Sequence, residues 1–378
     1  MLKSGSLLLY LQGINFSAPQ EAKVTNIFFS GDFYLFLKFK VKQLALRYRQ
    51  LISTVLLLFL AWLSFAQDPE FSQFYSNPLY LNPAFAGTLG VPRINLQYRD
   101  QWHGLHDAYV TQSLAFDMPV EKLRGGIGLN LVRDLQSSGI LSSLQADLIY
   151  TSIFRLTDNL SFSGALGAGF RQNRLDWGRL VFADNVDPYS GNHTATNETP
   201  VADPEYHFAD FSTGVMLFGE NIFAGLAAHH LAQPSQSWYS ESAPAGRLLR
   251  KYSLHAGLRI PVHLHGFWRK TFDFSPQVVL VQQGRFRQFN YGMLANYRGF
   301  TGGAWLRQDL TFHYDALIFL VGYMKKRWHF TYSYDFTLSG LGARSGGTSE
   351  ISLSFLLKDF LQYTAFPFYR PYHDYIGE

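Results

Sequence analysis

A period of two runs through most of this sequence and restricts what it can fold into. From 328 to 337, Trp328, Phe330, Tyr332, Tyr334 and Phe336 interleave with His329, Thr331, Ser333, Asp335 and Thr337. Residues two apart share one face of a strand, so one face meets something apolar and the other something wet. A half-buried strand of a soluble sandwich has the same alternation, and a single example would not separate the two.

Repetition does. Ile94, Leu96 and Tyr98 alternate with Asn95, Gln97 and Arg99, and Leu144, Ala146, Leu148 and Tyr150 with Ser143, Gln145 and Asp147. Comparable units occur at 162–170, 251–260, 288–297 and 350–357. Reading the whole chain in this way predicts strands near 92–100, 109–118, 125–132, 142–152, 159–171, 208–217, 221–229, 251–260, 271–281, 286–297, 302–308, 315–324, 328–337 and 348–357. The expectation is an all-β fold, a transmembrane up-and-down antiparallel β-barrel of the outer membrane with about 14 strands. Long connections at 172–207, 230–250 and 338–347 fall at one end, and tight turns at 119–124, 218–220 and 325–327 at the other. That asymmetry is expected when the short turns face the periplasm. Two connections fit poorly, since 261–270 is long for a periplasmic turn and 282–285 short for an external loop.

Composition agrees, because 17% of residues are aromatic and only 16% charged, against roughly 25% charged in soluble domains. The aromatics suit interfacial girdles. Lys42, Arg47 and Arg49 precede an apolar stretch from Leu51 to Leu63, and Ser64-Phe65-Ala66 offers small residues to a signal peptidase. Cleavage is expected after Ala66, with 41–66 as signal peptide and 1–40 as an extension from a mis-called start. Of the 32 Lys and Arg and the 28 Asp and Glu, seven and two fall within 1–66, which leaves 25 bases against 26 acids. The mature chain is therefore near neutral, and its charge gives no support to a nucleic-acid partner. The chain has no Cys, so no disulfide staples it.

The most specific local signature lies at 67–90, ahead of the barrel at 91–357. Two Asn-Pro pairs, Asn77-Pro78 and Asn82-Pro83, break regular structure, and Gly87 permits a positive φ. The resulting turns carry Phe74, Tyr75, Tyr80 and Phe85. Large aromatics outside a lipid band need burial, either as a barrel plug or against a partner on the periplasmic side. Both readings stay open, with Phe74, Tyr75, Asn77, Pro78, Tyr80, Asn82, Pro83 and Phe85 as candidate partner-binding residues. The aromatic tail at 358–378 adds Phe368, Tyr369 and Arg370, either as a periplasmic docking strip or folded back on the rim.

The segment QDPEFSQFYSNPLYLNPAFAG at 67–87, followed by YRDQW at 98–102, resembles the type IX secretion system membrane protein family PorP/SprF. RLDWGRLVFADNVDP at 174–188 is similar to that family's long-loop segment, and LSGLGARSGGTSEISLSF at 338–355 to its closing turn and last strand. The resemblance covers 67–357 and departs at 1–40 and in the tail. It implies a non-enzymatic barrel working with the secretion and gliding machinery, and export or surface attachment of a large adhesin-like cargo protein with a C-terminal sorting domain. It also implies periplasmic or lipoprotein partners from that machinery. It carries over no catalytic residue.

Chemistry is sparse elsewhere. His229-His230, and His263 with His265, lack the further ligands at a metal-site spacing. Gly164, Gly167 and Gly169 mimic part of a dinucleotide fingerprint inside a strand pattern with no following helix. No cofactor or metal is expected. Arg99, Asp117, Asp147, Arg171, Arg259, Asp335 and Glu350 fall on the predicted lumen face, to hold a plug and wall together or to line a conduit. Two function classes follow, a secretion and surface-anchoring component or a channel for small or apolar solutes. On the lipid face arginine at Tyr334 or Leu148 is expected to be costly, and arginine at Ser333 cheap. In detergent the mature protein should be heat-modifiable with strand-dominated circular dichroism, and a helical spectrum would refute the fold.

Overall fold

The computed structural model describes residues 68–358, apart from 106–108, 187–195, 199–203, 237–245, 265–269 and 341, together with a few isolated positions upstream. The extension, the rest of the leader, and the tail with Phe368, Tyr369 and Arg370 lie outside the described residues.

Fifteen strands follow in chain order, beginning with β1 (Arg93–Gln101), β2 (Tyr109–Val120), β3 (Gly125–Gln136), β4 (Leu141–Thr157), β5 (Leu160–Leu175), β6 (Glu205–Gly219) and β7 (Ile222–His229). They continue as β8 (Lys251–Leu258), β9 (Ile260–Leu264), β10 (Lys270–Gln283), β11 (Phe286–Tyr297), β12 (Phe300–Gln308), β13 (Tyr314–Lys325), β14 (Trp328–Thr337) and β15 (Thr348–Leu356). All neighbours are antiparallel, and β1 pairs with both β2 and β15, so the sheet closes on itself. β8 and β9 both pair with β10 and are two halves of one stave interrupted at Arg259. The ring thus has fourteen staves.

Closure follows from the solvent, because lipid offers no hydrogen-bond partner to a free strand edge. The alternation decides which side chain faces where. Leu148 and Leu166 are each 67% exposed on the outer face, whereas Asn95 and Glu350 on the inner face are fully buried. β4 and β5 run to 17 and 16 residues, beyond the roughly 9–11 that span a bilayer, so the wall projects past the membrane. The two ill-fitting connections also resolve. β9 extends to Leu264 and shortens the first, while Gly284, at φ +59°, turns a two-residue hairpin between β10 and β11.

The ring encloses residues 71–89, whose Phe74, Tyr75, Leu79, Phe85 and Leu89 are buried among inward side chains of the wall. One expectation is corrected by this filling. Ser333 is fully buried and accepts a hydrogen bond from Gln73 Nε2 at 3.0 Å, so an arginine there would strike the plug rather than enter water. Leu148→Arg on the outer face should cost about 2–4 kcal/mol near mid-membrane. Equilibrium unfolding from lipid vesicles measures it, and an unchanged midpoint would contradict the assignment of faces.

Candidate functional site

The plug enters from the end with long loops and leaves at the end with short turns. Asp68 lies beside His230, just past β7, and its backbone N–H donates to Gln283 Oε1 at the end of β10. At the other extreme, Gly87 has φ +73°, and a Cβ there would come within 2.6 Å of Gly126 Cα at the start of β3. Only glycine combines that conformation with that approach.

Each Asn-Pro pair opens a short helical turn and ties it to the wall. Proline suits the first helical position, where no N–H partner is required. Pro78–Leu81 forms one α-helical turn and Pro83–Phe85 one 3₁₀ turn. Asn77 Nδ2 donates to Ser113 Oγ at 2.8 Å and to Asn130 Oδ1 at 3.2 Å. Asn82 Oδ1 accepts from the Ala84 N–H at 2.9 Å, and Asn82 Nδ2 donates to the carbonyls of Val215 and Leu226, both at 3.2 Å. Those carbonyls sit opposite one another on β6 and β7. Gly214 and Gly225 make the notch, since a Cβ on Gly214 would come within 2.0 Å of Asn82 Oδ1.

Between the anchors lies an aromatic cluster. Tyr75 meets Phe223 edge-on at 5.3 Å between centroids, Phe74 meets Trp305 at 5.7 Å, and Phe85 stacks on His255 at 5.0 Å. Such pairs add ~0.5–1.5 kcal/mol beyond area burial.

Two charged clusters fix the upper half of the plug. On the closing seam, Arg99 of β1 and Glu350 of β15 are direct cross-strand partners, joined at 2.8 Å. Glu350 also accepts from the N–H groups of Ser72 and Gln73, at 2.8 and 2.9 Å, and from Gln97 Nε2. Asp335 accepts from Ser72 Oγ and from Arg307 at 3.1 Å.

The second cluster centres on His230, whose Nε2 and Nδ1 each lie 2.6 Å from a carboxylate, Asp68 of the plug and Asp210 of β6. Arg171 bridges Asp210 and Asp147, and Lys251 reaches Glu70 at 2.6 Å. Burial alone would lower the His230 pKa, but the Asp68 charge and the bonds the ring donates to both carboxylates hold it up to about 9. Burial would raise Asp68, yet His230 and Lys251 keep it well below the usual carboxylate range. A cavity of about 10 Å³ remains beside these groups, room for a single water at most.

All the predicted lumen charges point inward. Asp117 accepts from Gly87 N–H at 3.0 Å and from Arg93 at 2.8 Å, joining the lower end of the plug to the wall, and Arg259 pairs with Asp273 at 3.2 Å. The eight candidate partner-binding residues of the Asn-Pro segment sit inside the barrel, with Tyr80 half-buried and the other seven buried. Their contacts are with this chain's own wall, and the plug alternative describes their placement. Of the weak histidine signals, His230 serves the plug anchor, while His265 lies outside the described residues. Gly169 makes room for the Arg171–Asp147 pair, both of whose side chains a Cβ would meet within 2.8 Å. Sequence reasoning missed Arg93, Arg307, Lys251 and Ser72. Arg307 stood two residues past Trp305 in the lumen register, and Arg93 two before Asn95, so the alternation itself could have found both.

The model of the type IX secretion system membrane proteins PorP/SprF matches residues 63–355, a span that takes in the plug and the ring. The chain belongs to that family. Among solved structures, this PorP/SprF protein is similar to the toluene transporter TbuX of Ralstonia pickettii, at 12% identity and TM-score 0.42 over 75% of this chain and 93% of that one. It is also similar to the monoaromatic hydrocarbon channel CymD, at 14% identity and TM-score 0.38 over 76% and 94%, and to the Pseudomonas putida toluene transporter TodX, at 11% and 0.38 over 73% and 92%. The likeness is one of barrel architecture. A search of curated proteins finds no match.

Removing the Glu350 carboxylate should be severe, because Glu350→Leu leaves Arg99 with only the more distant Asp335, at 3.5 Å, and takes the acceptor from the buried Ser72 and Gln73 N–H groups, at about 3–5 kcal/mol. Denaturant unfolding measures the loss, and an intact midpoint would remove the seam cluster from the stability account. The His230–Asp68 contact predicts a pH dependence. A pKa raised from 6.5 to about 9 gives stability fully present below pH 6.5 and lost as pH rises through 9. The lowered Asp68 pKa keeps its contribution above the ordinary 3.8, lost only in stronger acid. The stability advantage of wild type over Asp68→Asn should therefore be greatest near pH 5–6 and shrink toward pH 9. A flat difference would contradict the ion pair.

Proposed function

We propose that this PorP/SprF protein is a non-enzymatic outer-membrane component of the type IX secretion and gliding machinery, supporting export or surface attachment of a large adhesin-like cargo through protein–protein contacts. Family membership over residues 63–355 carries this reading. The plug supports it, because a lumen filled by residues 71–89 suits a scaffold that holds and docks better than one that conducts. For a solute channel, the seam cluster and the His230 cluster would have to open, with buried charges left unpaired.

In the same reading, the leader is removed after Ala66 and the mature chain begins at Gln67. The short-turn end faces the periplasm. The tail with Phe368, Tyr369 and Arg370 follows β15 there, as an aromatic strip for periplasmic or lipoprotein components; aromatics and arginine are the usual anchors of such interfaces. Affinity purification of the tagged protein from its native envelope should recover type IX components and a secreted protein with a C-terminal sorting domain. Recovery of neither, together with solute-dependent conductance in planar bilayers, would reverse the reading in favour of a channel. Deleting residues 359–378 should leave the barrel heat-modifiable while reducing recovery of periplasmic components. Unchanged recovery would remove the tail from the docking role.

A further inference from the structure

The short turns at one end of the ring carry unequal charge. The turn between β2 and β3 mixes Glu121 with Lys122 and Arg124, Asp158 at the β4–β5 turn pairs with Arg155 at 3.4 Å, and Glu220 sits between β6 and β7. Further round, the charges are all basic. Arg298 follows β11, and Lys325 and Lys326 lead from β13 into β14. All three are exposed, and neither lysine makes an ion pair among the described residues. Arg298 lies over the Tyr297 ring at 5.5 Å, a contact that brings no carboxylate to its charge. Arg327, next in the chain, is engaged within the protein.

Backbone pairing holds these turns together. The Met324 N–H donates to the Gly299 carbonyl at 2.7 Å, and Lys325 and Trp328 are cross-strand partners. Arg298 and Lys325 therefore stand about two strand spacings apart, roughly 10 Å. Alternation also fixes the face that Lys325 takes. It continues the outward series Phe319, Val321 and Tyr323, so it lies on the lipid face and not on the lumen face. One step toward mid-membrane, Phe300 packs on Tyr323 at 4.6 Å between centroids and Trp328 on Phe355 at 4.4 Å, with Phe300 62% and Trp328 52% exposed. Exposed aromatics on the outer face of a barrel mark the depth of the lipid headgroups. A cation on that face just beyond them stands at the level of the phosphates.

We propose that this basic arc holds an anionic phospholipid of the surrounding leaflet, its headgroup phosphate between Lys325, Lys326 and Arg298 and its acyl chains along the outer face of β11–β14. Lysine supplies a point charge on a flexible stem and arginine a planar fork, and both suit phosphate. The inference goes beyond the proposed function and takes from it only that the short-turn end lies at the periplasmic leaflet.

Native mass spectrometry of the mature barrel in detergent, titrated with phosphatidylglycerol or with phosphatidylcholine of the same chains, provides the test. Phosphatidylglycerol should bind about tenfold more tightly, since each basic residue at a lipid surface contributes about 1 kcal/mol, about fivefold. Lys325→Gln with Lys326→Gln should weaken phosphatidylglycerol about tenfold and leave phosphatidylcholine unchanged. Lys122→Gln with Arg124→Gln, elsewhere on the same rim, should keep the preference. In vesicles, brominated phosphatidylglycerol should quench Trp328, read as the difference from Trp328→Phe, more than brominated phosphatidylcholine does. Should the double lysine variant fail to assemble, Arg298→Gln decides by a loss of about fivefold. Equal binding of the two lipids, an unchanged preference in the arc variants, or equal quenching would overturn the proposal. Displacement of phosphatidylglycerol by inorganic phosphate would overturn it in favour of a free-anion site. Unchanged lipid binding in the lysine variant, with lost recovery of periplasmic components, would overturn it in favour of an acidic protein partner. Recovery of type IX components by the unaltered protein without a lipid preference would overturn the arc alone, whereas a lipid preference without that recovery would overturn the proposed function alone.

Discussion

One carboxylate joins the two conditions this fold has to meet. Glu350 is fully buried where the last strand meets the first, opposite Arg99, and takes hydrogen bonds from both wall and plug. Lipid requires the ring to be closed, and a closed ring of polar inward side chains requires something polar inside it. Glu350 serves both, because the charge that pairs Arg99 across the seam also receives the N–H groups of Ser72 and Gln73, which lie in irregular backbone with no strand to satisfy them.

The plug repeats this logic along its length. Irregular backbone leaves donors and acceptors free, and inward Ser, Thr and Asn side chains of the wall take them up. Thr151, Ser163 and Ser253 donate to the carbonyls of Pro83, Ala84 and Leu81 at 3.0, 3.0 and 2.8 Å. The aromatic side chains of the same segment fill the middle of the lumen, and ionic anchors hold its upper half.

The identity of the protein rests on different evidence from its mechanism. The family match assigns the chain to the type IX secretion membrane proteins. The geometry accounts for the spacing of the two Asn-Pro pairs in this chain, with each Asn pinning one helical turn and each Pro starting one.

Much of the architecture was legible in the sequence because alternation is a local property. The side-chain period of two fixes which face Leu148 or Asn95 takes without reference to any other strand, and the predicted strand 328–337 coincides with β14. Likewise Gly87 and the Asn-Pro pairs announced turns from their own backbone chemistry. What remained hidden was everything set by register and by contacts distant in sequence. Nothing within Arg99 or Glu350 says that 251 positions apart they will be neighbours, nor that Asp68 will find His230 across 162 positions. The choice between plug and docking strip was equally beyond the sequence, since buried aromatics satisfy either demand. Only closure of the ring, by fixing which inward side chains converge, decided that the segment faces its own wall.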